Sequence, residues 1–140
     1  PYKVGLIVLA DDYEVYLNEV SEYSHLGEKS MRCYKCYKFR MIKLRDFALD
    51  NGFEYFTTTL SVSPHKNSTW INEIGESLSS DKCIYLYSDF KKENGYLSST
   101  NLAKKYELYR QDYCGCKYSL EEAIKRRKEK AIKLANNLNK

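Results

Sequence analysis

Two short stretches hold four of the chain's five cysteines: Arg32-Cys33-Tyr34-Lys35-Cys36-Tyr37 and Tyr109-Arg110-Gln111-Asp112-Tyr113-Cys114-Gly115-Cys116. A thiolate is a soft donor, and four of them can make a tetrahedral zinc site or hold an iron–sulfur cluster. Cys33 and Cys36 stand at i and i+3, so on a helix they share one face. The positive start of a helix, with Arg32 and Lys35 adjacent, favours thiolates there. The same Cys-x-x-Cys spacing also serves thiol–disulfide exchange, and a buried structural pair is the plain alternative. Cys114-Gly115-Cys116 is the sharper signal. One intervening residue leaves only a strained disulfide, whereas a metal centre accepts that spacing, and the glycine lets the backbone turn both sulfurs inward. Spacing leaves zinc and iron–sulfur equally open. Cys83 opens an apolar run and reads as a small buried hydrophobe. His25 and His65 lie near neither pair in sequence, and no Gly-rich phosphate loop, His-Glu-x-x-His or Gly-x-Ser-x-Gly motif is present.

The elements that must position these thiols alternate in type. Gly5 to Leu9 is a continuous apolar run, expected to be a strand buried on both faces. A short helix follows over about Tyr13 to Glu22. Ser30 is placed to cap a longer helix from Met31 to Asp50, where Tyr37, Met41, Leu44 and Ala48 recur at helical spacing and Asn51-Gly52 ends it. Phe53 to Thr59 is rich in aromatic and β-branched residues and reads as a strand, as does Cys83 to Tyr87. Between them lie a polar loop from Leu60 to Asn67 and a helix near Thr69 to Ser79. Ser98 or Ser99 is expected to cap a helix to about Leu108. Ser119-Leu120-Glu121-Glu122 fits a capping box for a terminal helix over residues 119–137. Strand, helix, helix, strand, helix, strand, helix, helix predicts an α/β fold: a Rossmann-like, mostly parallel sheet with helices packed on it, in one domain over residues 1–140. Such sheets bind ligands at the carboxyl ends of their strands, which points to the loops after Phe56 and Tyr87.

Bulk properties narrow the class little. With 140 residues, 43% hydrophobic and 30% charged, the chain has the make-up of an ordinary globular domain. Its longest apolar run, Val4 to Ala10, is far below the roughly 20 residues that span a bilayer. No signal-peptide pattern opens it, so a cytoplasmic setting with free thiols is the default expectation. A net charge of +4 does not mark a nucleic-acid binder. The runs Lys91-Lys92, Lys104-Lys105 and Lys125-Arg126-Arg127-Lys128 are more commonly a solvated helix face than an RNA contact.

Taken in order, four blocks resemble the cobalamin-independent epoxyqueuosine reductase family, which completes queuosine synthesis in bacterial tRNA. They are the Arg32 to Tyr37 block with Arg40; Gly52 to Asn67, containing Phe56-Thr57-Thr58-Thr59-Leu60-Ser61-Val62-Ser63-Pro64-His65-Lys66; Asp89-Phe90-Lys91-Lys92 with Gly95-Tyr96; and Tyr109 to Ser119. The resemblance implies reduction of the epoxide of epoxyqueuosine, at the wobble position of tRNA, to the alkene of queuosine. It implies a [4Fe–4S] cluster beside a second metal ion, iron by expectation, with Cys33, Cys36, Cys114 and Cys116 among the ligands. Thr57, Thr58, Thr59, Ser61, Ser63 and Lys66 would line the substrate side, and Arg110 and Gln111 would support the metal centre or contact RNA.

The resemblance has one departure. The family opens with a strand ending in adjacent cysteines, an aromatic-Asn-Pro-Asn segment and an arginine-bearing helix, none of which precedes Met31 here. The expectation is therefore that roughly the N-terminal third is missing, that the sheet is incomplete at that end, and that this chain alone is inactive. Two rival functions compete with the resemblance. One is a structural zinc domain that touches RNA through its basic terminal helix. The other is a thiol–disulfide oxidoreductase using Cys33 and Cys36. Neither accounts for the Phe-Thr-Thr-Thr or Tyr-Arg-Gln blocks.

Overall fold

The structure is a computed structural model that describes residues 3–10 and 12–138. It is a mixed α/β protein with a parallel sheet, as the alternation of patterns predicts. Helix α1 spans Tyr13–Ser21, α2 Met31–Asp50, α3 Ser68–Leu78, α4 Gly95–Lys105 and α5 Lys117–Leu138; strand β1 is Tyr55–Phe56 and β2 is Ile84–Tyr85. The chain divides into two compact units. One holds the residues up to Thr58 together with Thr69–Tyr87, the other Thr59–Ser68 together with the residues from Ser88 onward.

The first unit is built on α2. Ser30 caps this helix as expected, its hydroxyl oxygen accepting from the Arg32 backbone N–H at 3.3 Å. At the far end Phe53 N–H closes on Ala48 carbonyl at 2.8 Å. Tyr37, Met41 and Ala48 are buried along one face, which packs with α1 and β1. The parallel ladder pairs Tyr55 with Ile84 and Phe56 with Tyr85. Helix α3 crosses between the two strands and buries Ile71 and Ile74. At Gly75 it comes so close to the Tyr85 ring that a Cβ would sit 2.4 Å from it, so only glycine fits there. The Tyr85 hydroxyl donates to the Asn72 side-chain oxygen at 2.8 Å, satisfying both groups in the interior. Cys83 is fully buried, in keeping with its reading as a small hydrophobe.

Three expectations fail here. The run Gly5 to Leu9 is not a strand, and Val4, Leu6, Ile7 and Val8 are all exposed. Apolar continuity shows that a segment can be buried. A strand also needs a neighbour with free N–H and C=O groups, and among the described residues the sheet is β1 and β2 alone. The strand expected over Phe53 to Thr59 shrinks to two residues, because the backbone turns into a 3-10 helix at Thr59–Val62. The second expected strand likewise contracts to Ile84–Tyr85.

The second unit has a thinner interior. Ser61, Ala103, Ser119 and Ala123 are its buried side chains among the described residues, all small. Hydrogen bonds and ion pairs therefore carry more of its organisation than apolar burial does. Helix α4 begins at Gly95 rather than at Ser98 or Ser99, after a left-handed turn at Asn94, and ends at Lys105. Helix α5 begins at Lys117, two residues before the expected cap, and residues 124–137 are exposed all round.

Candidate functional site

Each unit contributes one thiol pair. In the first, Cys33 and Cys36 sit in the opening turns of α2, where Cys33 N–H donates to the Ser30 carbonyl at 2.9 Å. Cys36 is buried and Cys33 half-buried. Arg32 beside them is buried too, its guanidinium reaching toward the Ser24 carbonyl at 3.5 Å. Tyr34 meets Trp70 edge-on with ring centroids 5.5 Å apart. The predicted helix-start placement of this pair is thus what the fold provides.

In the second unit the Cys114-Gly115-Cys116 turn is held by Ser119. This serine is buried, accepts from Cys114 N–H at 3.1 Å and donates through its hydroxyl to the Cys116 carbonyl at 3.0 Å. Its own backbone N–H donates to the Cys116 sulfur at 3.4 Å. Cys116 is the residue just before α5, so its sulfur takes the acceptor role that a serine or aspartate plays at most helix starts. This corrects the capping-box reading: Ser119 lies inside the first turn and is the hub of the thiol loop. Gly115 adopts φ +90°, which lets the backbone reverse between the two sulfurs.

Lys66 completes this arrangement. Its ammonium contacts the Cys114 sulfur directly. The loop carrying Lys66 is in turn fixed by Lys91, whose ammonium donates to the Lys66 carbonyl at 2.6 Å and to the Ser68 hydroxyl at 3.4 Å. The hydrogen bond with Cys116, then burial, pushes the Cys114 thiol well above its ordinary range, while the Lys66 charge opposes both. Further along, Asp112 ties the loop to α5. Arg127 Nε donates to its carboxylate at 2.9 Å and Arg126 to its carbonyl at 3.0 Å. The Arg127 hydrogen bond holds the Asp112 carboxyl below the usual carboxylate range, and the same bond raises Arg127.

The other residues named from the sequence take varied places. In the first unit, Thr57 Oγ1 donates to the Leu86 carbonyl at 2.8 Å, extending the β1–β2 edge, and Thr58 follows it half-buried. In the second unit, Thr59 is exposed at the start of the 3-10 turn, and Ser61 is fully buried and accepts from Phe90 N–H at 3.4 Å. Ser63 accepts from His65 N–H at 3.3 Å. Arg110 lies 5.6 Å over the Tyr96 ring, and Gln111 is exposed beside Gly115. Of this set Lys66 touches a cysteine, Cys114. Sequence reasoning missed Ser119, Lys91 and Asp112. The signal for Ser119 was present in its position three residues after Cys116, read there as a cap for the wrong residue.

The donor chemistry, soft thiols, is of the kind that holds zinc or an iron–sulfur group. Two soft thiols occupy each unit, one pair at the start of α2 and the other at the start of α5, with backbone N–H donors and the Lys66 cation to balance sulfide and thiolate charge. Within either unit, among the described residues, no group of three or more His, Cys, Asp or Glu side chains converges. No helix among them is long and apolar enough to cross a membrane.

Fold and site together define an α/β protein with a lysine-buttressed thiol turn. A family model described as epoxyqueuosine reductase QueH matches residues 2–122, and the chain belongs to that family. It is 41% identical over 105 residues to epoxyqueuosine reductase QueH of Streptococcus pyogenes, an alignment covering 74% of this chain and 41% of that protein. The corresponding Thermotoga maritima protein is 34% identical over 113 residues, covering 80% of this chain and 59% of its own length. A Helicobacter pylori relative is 35% identical over 127 residues, covering 84% of this chain and 34% of its own. The chain thus spans between about a third and three-fifths of the relatives it matches.

Proposed function

We propose that this chain takes part in the cobalamin-independent reduction of epoxyqueuosine to queuosine at the wobble position of tRNA, in the cytoplasm. The reaction consumes two electrons and two protons: both C–O bonds of the epoxide break, a C=C bond forms and the oxygen leaves as water. Cys33 and Cys36, with Cys114 and Cys116, supply ligands to a [4Fe–4S] cluster and a second iron. The bound iron–sulfur group supplies electron transfer and Lewis acidity. The chain's own residues hold the thiols and the charge around them. Ser119 fixes the geometry of the Cys114–Cys116 turn, and Lys66 keeps a proton and a positive charge against Cys114. Thr57, Thr58, Thr59, Ser61 and Ser63, with Arg110 and Gln111, are the positions on the substrate and RNA side. The electrons come from an external donor.

The observation that carries this reading is the Lys66–Cys114 contact, where two separate blocks of the family resemblance come together in one unit. The test is genetic. The complete reading frame that encodes this chain is placed in a bacterium that accumulates epoxyqueuosine, and tRNA nucleosides are measured by mass spectrometry. Queuosine returns with the parent, is lost with Cys114→Ser and falls about 10- to 100-fold with Lys66→Met. Failure of the parent to restore queuosine, or equal restoration by a variant lacking all four thiols, contradicts the reading.

A further inference from the structure

The net positive charge of this chain falls in one segment. Seven of its 23 Lys and Arg residues and one of its 19 Asp and Glu residues follow residue 122, so that segment carries +6 and the 122 residues before it −2. The boundary coincides with the end of the family match at residue 122. The portion that matches the family is therefore slightly acidic, which opposes approach of a polyanion, and the cationic segment lies beyond it.

Geometry gives this charge a direction. On α5, Arg126, Lys130 and Lys133 stand at i, i+4 and i+7, forming a single row about 10 Å long. The row starts where Arg126 and Arg127 grip Asp112, so it rises on the side where the Tyr109 to Cys116 loop docks. Tyr109, 85% exposed on that loop, lies within the electrostatic reach of Arg127. Lys125 and Lys128 project away from this row, toward the side that carries Glu121, while Glu129 flanks the row at i+3 from Arg126 and i−4 from Lys133. Exposed cations leading to an exposed aromatic form the pattern that tracks a phosphate backbone and stacks a base.

We propose that the Arg126–Lys130–Lys133 row of α5, with Tyr109 at its foot, is the docking surface for the phosphate backbone of the tRNA substrate. The identity of the polyanion as tRNA rests on the reductase reading; the location of the surface rests on the charge partition and on the Asp112 anchor. Phosphates on duplex RNA are dense enough that a row of this length faces several of them.

The test measures binding of an unmodified tRNA transcript to the full chain across a salt series, which needs neither iron nor turnover. Lys130→Gln with Lys133→Gln lowers affinity by on the order of 10-fold at 0.1 M salt and reduces the salt slope by roughly 2. Lys125→Gln with Lys128→Gln removes the same charge from the other side, with less than half that effect. Tyr109→Ala weakens binding without changing the slope. Circular dichroism checks that each variant keeps its helix. Equal losses from the two lysine pairs would reduce the effect to net charge and overturn the proposal. It is equally overturned if the Lys130/Lys133 variant keeps full tRNA affinity while losing binding to phosphatidylglycerol vesicles. Restoration of queuosine is a separate readout, so loss of the reductase reading leaves this measurement interpretable.

Discussion

Cys114 is a thiol under opposing pressures. Cys116 and burial favour its neutral form, and the Lys66 ammonium favours the charged one. Removing that cation must push the thiol further up and slow its reaction with electrophiles. In the metal-free chain, Lys66→Met is expected to slow alkylation of Cys114 by iodoacetamide at pH 8 by about 3- to 10-fold, followed by peptide mass spectrometry. An unchanged rate would mean the ammonium does not act on the sulfur. The sequence revealed the thiols and, through the family resemblance, Lys66. It did not reveal that Lys66 faces Cys114, because 48 residues separate them and only the tertiary fold of the second unit closes that gap. Ser119 was visible as a helix-start residue, yet its role as the loop's hub depends on the Cys116 sulfur serving as the cap acceptor.

Secondary elements differed in how readily they could be read, for physical reasons. Helix α2 was legible from Ser30 to Asp50 because cap, periodicity and stop signal are all local. The Gly5 to Leu9 run was not, since hydrophobicity carries no information about whether a strand has a partner. Helix α3 makes a steric demand at one point, where Gly75 meets the Tyr85 ring. Gly75→Ala is expected to destabilise the chain by about 1–3 kcal/mol in urea unfolding, because the Cβ cannot be placed without moving the ring and its Asn72 hydrogen bond. Near-neutral stability in that variant would show that the helix shifts freely. The anchor between the thiol loop and α5 carries a pH dependence of definite sign. Asp112 has its folded carboxyl lowered by Arg127, so its contribution is complete above about pH 4 and is lost as the pH falls through the folded value. Amide exchange of residues 109–116, corrected for intrinsic rates, should lose protection below pH 4 in the parent and already at pH 6 in Asp112→Asn. Protection that survives at pH 2 would place the anchor elsewhere.

For the molecule as a whole, the class of fold was accessible from the alternation of patterns, and the family from four ordered blocks. The Lys125-Arg126-Arg127-Lys128 run was legible but read as a solvated helix face, because +4 for the whole chain conceals −2 up to residue 122 and +6 after it. The thin interior of the second unit makes it the part that a bound group would stabilise most, since a ligand that binds only the folded form adds to a small intrinsic stability. Reconstitution with iron and sulfide under anaerobic conditions is the most direct trial of the central claim, that the thiol pairs hold an iron–sulfur group. The protein expressed from the complete reading frame is predicted to retain both elements and a brown colour, and to lose at least about half of the iron in either Cys33→Ser/Cys36→Ser or Cys114→Ser/Cys116→Ser. A colourless protein holding one zinc, or iron content untouched by both double substitutions, would contradict it.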